Sequence, residues 1–214
     1  QKNKREWVYG VRDRVDEVFD CSRSIRNNRW LYIRNYNPFL GWNQPSVFSD
    51  LGEIRNEITN FSINTGTRFS SEQNHYTSPE RAPIEFYACL ADPENTRNLA
   101  LEKLSPTQQV SLEKAQRALK RIRKKTRDVG CLPEGVMADL VNKNGESIAD
   151  LARNGKLKLD QIWDVADSVG RDTESTLNVL KSTDPSISFW IINALKASLP
   201  SDKNNDEAFR HVTQ

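Results

Sequence analysis

The stretch SIRNNRWLYIRN, residues 24–35, decides the fold of this chain. Its second part, from Trp30 to Asn35, is rich in aromatic and β-branched residues, which is typical of a β-strand. Asn27 and Asn28 form a turn signal between this run and the shorter run that begins at Ser24. The two runs are therefore predicted to pair as an antiparallel hairpin.

Two further apolar runs predict the rest of a small antiparallel sheet. Residues 7–11 precede the hairpin, and residues 84–90 end at an Asp92-Pro93 turn. Between them lies a long connection, residues 36–80, with one predicted helix over 49–60 in which Leu51, Ile54 and Ile58 share a face. A connection of this length is usually functional or packs against something else.

From residue 105 onward the pattern is helical. Ser105 is a natural N-cap, Pro106 suits the first helical position and Gln108 completes a capping box. One apolar stripe then recurs at helical spacing through Leu112, Ala115, Leu119 and Ile122. Further helices are predicted over residues 136–141, 147–153, 159–169, 174–181 and 186–199. The last two resemble one helical-repeat unit, which predicts more repeats in a longer parent chain.

These segments together predict an α+β fold with a small antiparallel sheet of three or four strands, a long flanking helix and an α-helical extension. We expect three parts. Residues 1–104 hold the sheet and the long loop, residues 105–142 form a packing helix and connector, and residues 143–214 form the helical extension.

Composition excludes several classes of protein. The 31 basic residues nearly balance the 29 acidic ones, and a net charge of +2 argues against a globally basic nucleic-acid binder. No run approaches the roughly 20 apolar residues of a membrane span. The chain begins with Gln1 and shows no targeting segment, which indicates a fragment or a processed chain. The three cysteines lack the spacing of a zinc site, and we expect buried thiols at Cys21, Cys89 and Cys131.

The densest polar cluster is RDRVDE, residues 12–17. Guanidinium groups beside carboxylates suit recognition of an anionic group such as sulfate, phosphate or uronate. The same pattern also fits a salt-bridged surface turn, because exposed charge pairs are common and cost little. The candidate binding residues are Arg12, Asp13, Arg14 and Asp16.

Two other features each have two interpretations. The basic run at residues 120–127 suits polyanion binding, but its lack of interleaved aromatic residues favours the solvated face of an amphipathic helix. Trp163 and Trp190 fit either core packing, which we favour, or the contact surface of a protein-interaction module. The sequence has neither a GxSxG turn nor a Gly-rich phosphate loop, and no cluster of hard oxygen ligands is apparent, so we predict no catalytic residue and no metal ligand in this chain.

Several segments, taken in order, resemble the C-terminal part of a sulfatase of the heparan N-sulfatase-like (sulfamidase-like) branch. They are RDRVDE at 12–17, RSIR at 23–26, WLYIRNYNP at 30–38, the closing signature from Glu85-Phe86-Tyr87 through Asp92-Pro93 to Asn98-Leu99-Ala100, and residues 126–136. The resemblance covers residues 7–140, and the helical remainder is similar to the HEAT-type extension of some bacterial members. The chain departs from the family at Ala88, Cys89 and Asn95, which lie at a structural corner.

The resemblance implies that the reactive centre lies outside this chain. Sulfatases use a formylglycine made within a Cys/Ser-x-Pro-x-Arg pattern and hold a divalent cation, usually calcium, in an N-terminal α/β domain. The segment most similar to this pattern begins at Cys131, but Gly135 occupies the position where the pattern has Arg. What the resemblance implies is therefore a non-catalytic C-terminal portion, inactive alone, without a cofactor of its own. In it, Arg12, Asp13, Arg14 and Asp16 would form part of the wall of a pocket for a sulfated saccharide.

The implied partner is the missing N-terminal catalytic domain. The family implies an extracytoplasmic location, and we expect neither a membrane nor a nucleic-acid partner. The alternative function is a stand-alone helical-repeat module that binds a protein partner and has no enzymatic activity.

Overall fold

The computed structural model describes residues 5–15, 17–64, 69–171 and 182–198. In these residues the sheet has four antiparallel strands in the order β1-β2-β3-β4. The strands are β1 (Val8–Val15), β2 (Val18–Arg26), β3 (Trp30–Asn35) and β4 (Ile84–Ala88). With the helices described below, the sheet confirms the predicted α+β fold.

The β2–β3 hairpin forms where the sequence predicts it. Arg26 pairs with Leu31, and the backbone NH of Asn27 donates to the carbonyl of Trp30 at 2.9 Å. The side-chain oxygen of Asn27 accepts from the backbone NH groups of Arg29 and Trp30 at 2.9 and 2.8 Å. Asn27 thus closes the turn and sets the register of the hairpin.

The long connection holds three helices, α1 (Val47–Asp50), α2 (Glu53–Asn64) and α3 (Ser71–Thr77). The single helix predicted over 49–60 is divided at Leu51 and Gly52, where the backbone turns and the NH of Gly52 donates to Ser49 at 3.0 Å. The predicted apolar face is not buried in this chain, because Leu51 and Ile54 are 80% and 74% exposed.

Helix α4 (Pro106–Thr126) flanks the sheet as predicted. Ser105 accepts a hydrogen bond from the backbone NH of Gln108 at 3.3 Å, and the Gln108 side chain accepts from the NH of Ser105 at 2.8 Å. This reciprocal pair is a capping box. The buried face of α4 shares one apolar core with Ile25 and Phe86 of the sheet through Leu112, Ala115, Ala118 and Leu119.

Four more helices are described after α4. They are α5 (Glu134–Asn144), α6 (Ile148–Arg153), α7 (Leu159–Ala166) and α8 (Pro185–Ser198). Ser147 caps α6 by accepting from the NH of Asp150 at 3.1 Å, and Asp184 caps α8 by accepting from the NH of Ser186 at 3.0 Å. The helix predicted over 174–181 lies outside the described residues. The three-part division of the chain and the HEAT-type identity of the extension stay predictions.

A second core joins these helices to the sheet. Trp163 is 5% exposed and Trp190 is fully buried. Their indole NH groups donate to the carbonyls of Asp128 at 2.8 Å and Cys131 at 2.7 Å. The core-packing interpretation of both tryptophans is confirmed, so neither offers an exposed contact surface.

A buried ion pair ties α4 to the end of α7. The Nη2 atom of Arg123 lies 2.6 Å from the carboxylate of Asp167, which also accepts from the hydroxyl of Tyr36 at 2.9 Å. Burial alone would raise the pKa of Asp167, but the hydrogen bond and charge of Arg123 hold it below its ordinary value. The end of α7 is therefore tied through ionised partners to α4, and by a hydrogen bond to Tyr36, which directly follows β3.

Candidate functional site

Arg12 is held on the edge strand β1 by a buried carboxylate. Its Nε atom lies 2.8 Å from Oδ2 of Asp20, whose side chain is fully buried while that of Arg12 is 34% exposed. The Nη2 atom of Arg12 donates to Oε1 of Gln44 at 3.3 Å. Because Asp20 is fixed within the sheet, it orients the guanidinium while about a third of the Arg12 side chain stays exposed.

A β-bulge places Asp20 opposite this part of β1. Arg12 pairs with Ser22 but Arg14 pairs with Phe19, so Asp20 and Cys21 together oppose a single residue of β1. Cys21 has a φ of 53°, a left-handed conformation that costs a non-glycine residue about 1–2 kcal/mol. Bulges re-aim a side chain, and they are frequent beside functional sites.

A second guanidinium contacts the same carboxylate. The Arg81 side chain is fully buried, and its Nη2 atom contacts Oδ1 of Asp20. Burial lowers the pKa of Arg81 to about 10, which leaves the group charged at neutral pH. Glu85 also acts on this charge, but its carboxylate is engaged by Asn35 and Tyr87 at 2.6 Å each. One carboxylate, Asp20, therefore serves two guanidinium groups directly.

The indole of Trp42 lies against both guanidinium groups. Its ring centroid is 4.8 Å from Cζ of Arg81 and 5.9 Å from Cζ of Arg12, distances typical of cation–π contacts. Nε1 of Trp42 and both Nε and Nη1 of Arg81 are buried and have no hydrogen-bond partner among the described residues. Buried donors without an acceptor are costly, so they mark a place for a water molecule or an anionic group. We name this group the Asp20 cluster: Arg12, Asp20, Trp42, Gln44 and Arg81.

The other predicted binding residues contact different parts of the molecule. Asp13 lies 2.6 Å from the buried side chain of Arg23. Arg14 lies 3.3 Å from Glu134, and its Cζ is 4.9 Å from the ring centroid of Phe19. Asp16 lies outside the described residues. The structure thus brings Arg12 into the Asp20 cluster and gives Asp13 and Arg14 other partners.

Sequence reasoning missed four members of this cluster, Asp20, Trp42, Gln44 and Arg81. Asp20 lies within the run VFDC at residues 18–21, and a carboxylate inside such an apolar run is itself a signal of a buried, paired charge. Trp42 and Arg81 lie in and beside the long connection at residues 36–80. The length of that connection predicted function or packing but gave no means to choose among its residues.

Among the described residues, no group of three or more His, Cys, Asp or Glu could hold a metal ion, so these residues do not fit the calcium that the resemblance implies for a whole enzyme. Cys131 is fully buried, and burial raises the pKa of its thiol. Such a thiol is a poor nucleophile. The expectation of buried free thiols is confirmed for Cys21, Cys89 and Cys131.

The Asp20 cluster has the chemistry of a site that binds an anionic group. It presents oriented cationic donors around a carboxylate that is already ion-paired. A sulfate or carboxylate oxygen is the acceptor that such donors prefer, because charge-assisted hydrogen bonds are the strong ones.

Comparison with known proteins shows a similarity to a sulfatase. The chain is 27% identical over 162 residues to an ulvan-active sulfatase from Formosa agariphila, across 74% of this chain and 26% of that protein. The chain therefore spans about a quarter of the length of the curated relative that it matches. No family model matches the chain. The similarity supports a sulfatase-like hydrolase region. None of the described helices combines the length and the apolar character that a membrane crossing requires.

Proposed function

We propose that this chain is the C-terminal, non-catalytic portion of a sulfatase-like hydrolase that cleaves sulfuric esters or sulfamates of sulfated saccharides. The observation that carries the proposal is the 27% identity over 162 residues to a sulfatase. The Asp20 cluster supplies part of the wall of the substrate pocket, and Arg12 is its contact with the saccharide. The nucleophile, its formylglycine and the calcium belong to the rest of the polypeptide, which the family also implies to be extracytoplasmic.

The accessibility of Arg12 supports its role. The Arg12 side chain is 34% exposed and its Nε atom contacts a fully buried carboxylate, so it can bind an anionic group without first losing its own orientation. A hydrogen bond to a charged group contributes about 1.5–3 kcal/mol. Since the contact is made by an existing, oriented donor, it acts on binding of the substrate and therefore on KM more than on kcat.

An exposed apolar surface supports the proposed partner. Val47, Phe48, Leu51 and Ile54 are 69%, 82%, 80% and 74% exposed, and all lie within α1, the start of α2 and the turn between them. A run of large exposed apolar side chains is typical of a surface that another domain covers. In the proposal, the N-terminal catalytic domain is that partner.

The first test is the reading frame that encodes the chain. The proposal requires a Cys/Ser-x-Pro-x-Arg sequence upstream, in a segment that precedes Gln1. A start codon directly before Gln1 would instead support the stand-alone interaction module.

The purified chain should release no sulfate from an aryl sulfate or a sulfated oligosaccharide, and turnover above the blank would refute the non-catalytic role.

The second test uses the full polypeptide of that reading frame. Arg12→Gln should raise KM for a sulfated oligosaccharide by roughly 10- to 100-fold with little change in kcat, since one charge-assisted hydrogen bond is lost. The matched control is Arg26→Gln, an exposed arginine at the other end of the same strand pair, which should leave both constants unchanged. Equal effects of the two substitutions would remove Arg12 from the pocket.

A further inference from the structure

A basic groove runs along α4 where it faces α7. Three adjacent cavities of about 360, 170 and 520 Å³ all include Arg123 in their walls. Along α4 the groove is lined by Arg117, Lys120, Lys124 and Arg127, which follow one another at helical spacings of three, four and three residues. With a rise of about 1.5 Å per residue, these cations span about 15 Å. That length suits a stretch of a linear polymer better than a single small ion.

The largest of these three cavities is not lined by α4 alone, so the amphipathic pattern of α4 does not account for its charge. Lys158, which belongs to the segment before α7, joins Lys124, Lys125 and Arg127 in its wall, and Asp160 is the one acidic residue in that lining. Lys158 is the N-cap of α7 and makes no side-chain capping bond. A cation at this end of a helix is opposed by the helix dipole, so its position carries no benefit for the helix itself.

Several of these cations are available to a ligand. No ion pair to Lys125, Arg127 or Lys158 is found among the described residues. Lys120 and Lys124 contact Asp164 at 2.7 Å and Asp160 at 2.9 Å, but all four side chains are more than half exposed. Exposed pairs of this kind are weak, so an anionic ligand can replace the aspartates at little cost.

Arg127 occupies a backbone position that favours glycine. Its φ is 52°, the left-handed conformation that ends α4, whereas α5 ends in the same conformation at Gly145. A non-glycine residue is strained there. An exposed arginine in a strained backbone position, in the wall of a cavity lined with cations, points to a role of its side chain in binding rather than in folding.

We propose that the basic groove binds an anionic, sulfated polysaccharide at a position separate from the Asp20 cluster. The polymer class rests on the proposed function, since the same groove charge would attract other polyanions. Single-stranded nucleic acid is disfavoured because its binding relies on stacking with exposed aromatic rings. The aromatic residues in the wall, Trp163 and Tyr32, are 5% and 2% exposed.

The test measures the affinity of the full chain for heparin fragments, as the sulfated probe, by calorimetry at several salt concentrations. The triple variant Lys125→Gln, Arg127→Gln, Lys158→Gln should lose about tenfold or more in affinity and show a shallower dependence on salt. The matched control removes the same charge from exposed residues outside the groove: Lys103→Gln, Lys114→Gln and Arg121→Gln. It should change the affinity by less than about threefold.

A single variant separates ligand contact from folding. Arg127→Gly relieves the strained backbone and removes the cation, so the urea midpoint should rise while heparin affinity falls. Unchanged affinity in Arg127→Gly, or equal losses in the two triple variants, would overturn the groove. Tighter binding of single-stranded DNA or of phosphatidylserine vesicles than of heparin would overturn the polysaccharide assignment.

Failure of the groove and failure of the proposed function give different results. Arg12 is not part of the groove, so any heparin affinity that Arg12→Gln removes belongs to the Asp20 cluster, and the groove variants should lose affinity in the Arg12→Gln background as well. If the groove variants lose affinity but Arg12→Gln has no effect on KM, the groove stands and the pocket role of Arg12 fails. The reverse result removes the groove alone.

Discussion

Replacing Arg23 with methionine should cost this chain a large share of its stability. The Arg23 side chain is fully buried and lies 2.6 Å from Asp13. It also donates to Asp128 from Nε at 2.7 Å and from Nη2 at 2.9 Å. Asp128 accepts a further hydrogen bond from the hydroxyl of Tyr9 at 2.5 Å. Arg23 therefore links β1 and β2 to the segment that follows α4.

The expected cost follows from the burial of the carboxylate that would be left behind. Asp128 has a side chain that is 9% exposed, so it would lose its cation without regaining water. Removing one partner of such a pair costs about 3–5 kcal/mol, within a total stability of about 5–15 kcal/mol for a domain. Asp13 is 31% exposed and can turn to solvent, so the estimate rests on Asp128.

The cost should also depend on pH. Burial alone would raise the pKa of Asp128, but the hydrogen bonds and charge of Arg23 hold it below its ordinary value. A depressed pKa contributes stability that is present above about pH 4 and is lost as the pH falls through the folded-state pKa. In the Arg23→Met variant the carboxylate protonates more readily, so the difference from the parent should shrink in acid.

Urea unfolding followed by far-UV circular dichroism at neutral pH and at about pH 3.5 measures both effects. Asp128→Asn added to Arg23→Met should recover part of the loss, because it removes the stranded charge. Arg26→Met, at an exposed position of the same strand, is the control. A loss below about 1 kcal/mol at neutral pH, or a loss that Asp128→Asn does not reduce, would refute this reasoning.

Three further predictions concern packing, reactivity and capping. A Cβ at Gly130 would overlap the side chains of Arg23 and Asp13, so Gly130→Ala should cost about 1–3 kcal/mol, whereas Gly135→Ala meets nothing within 4 Å and should be neutral or stabilising in urea unfolding. The cysteine thiols should not react with a disulfide reagent in the folded chain and should all react in urea, because they are buried. Ser105→Ala should lower stability by about 0.5–2 kcal/mol through loss of the α4 cap, and Ser111→Ala within the same helix should change it little.

How much the sequence predicts depends on how local the cause is. The Asn27 turn and the Ser105 capping box are set by residues within a few positions of each other, and both are found as predicted. The extent of β1 was not predictable in the same way. Its second half contains Arg12, Asp13 and Arg14, and the pairing of that part with β2 depends on the bulge at Cys21.

The candidate site was predictable only in part for the same reason. Arg12 was identified from its own charged neighbours, but the structure pairs it with Asp20 and places Arg81 on that carboxylate from the far end of the long connection. No periodicity joins residues so far apart in the chain. The apolar stripe around Leu51 and Ile54 was visible in the sequence. Whether such a stripe is buried depends on the surface that packs against it, which the stripe itself does not specify.

Burial gives the two proposed anion-binding regions different physical properties. In the Asp20 cluster, Arg81 and Asp20 are fully removed from water, so salt screens their interactions little and the orientation of Arg12 is fixed before a ligand arrives. In the basic groove, the cations lie on exposed side chains, so their attraction is long-ranged but falls steeply with ionic strength. Oriented, desolvated donors discriminate among the chemical groups that contact them. Exposed cations raise the local concentration of a polymer but do not select which of its units is bound. Under the proposed function and the proposed groove, a long anionic substrate would lie loosely along α4 while Arg12 selects the group presented to a pocket.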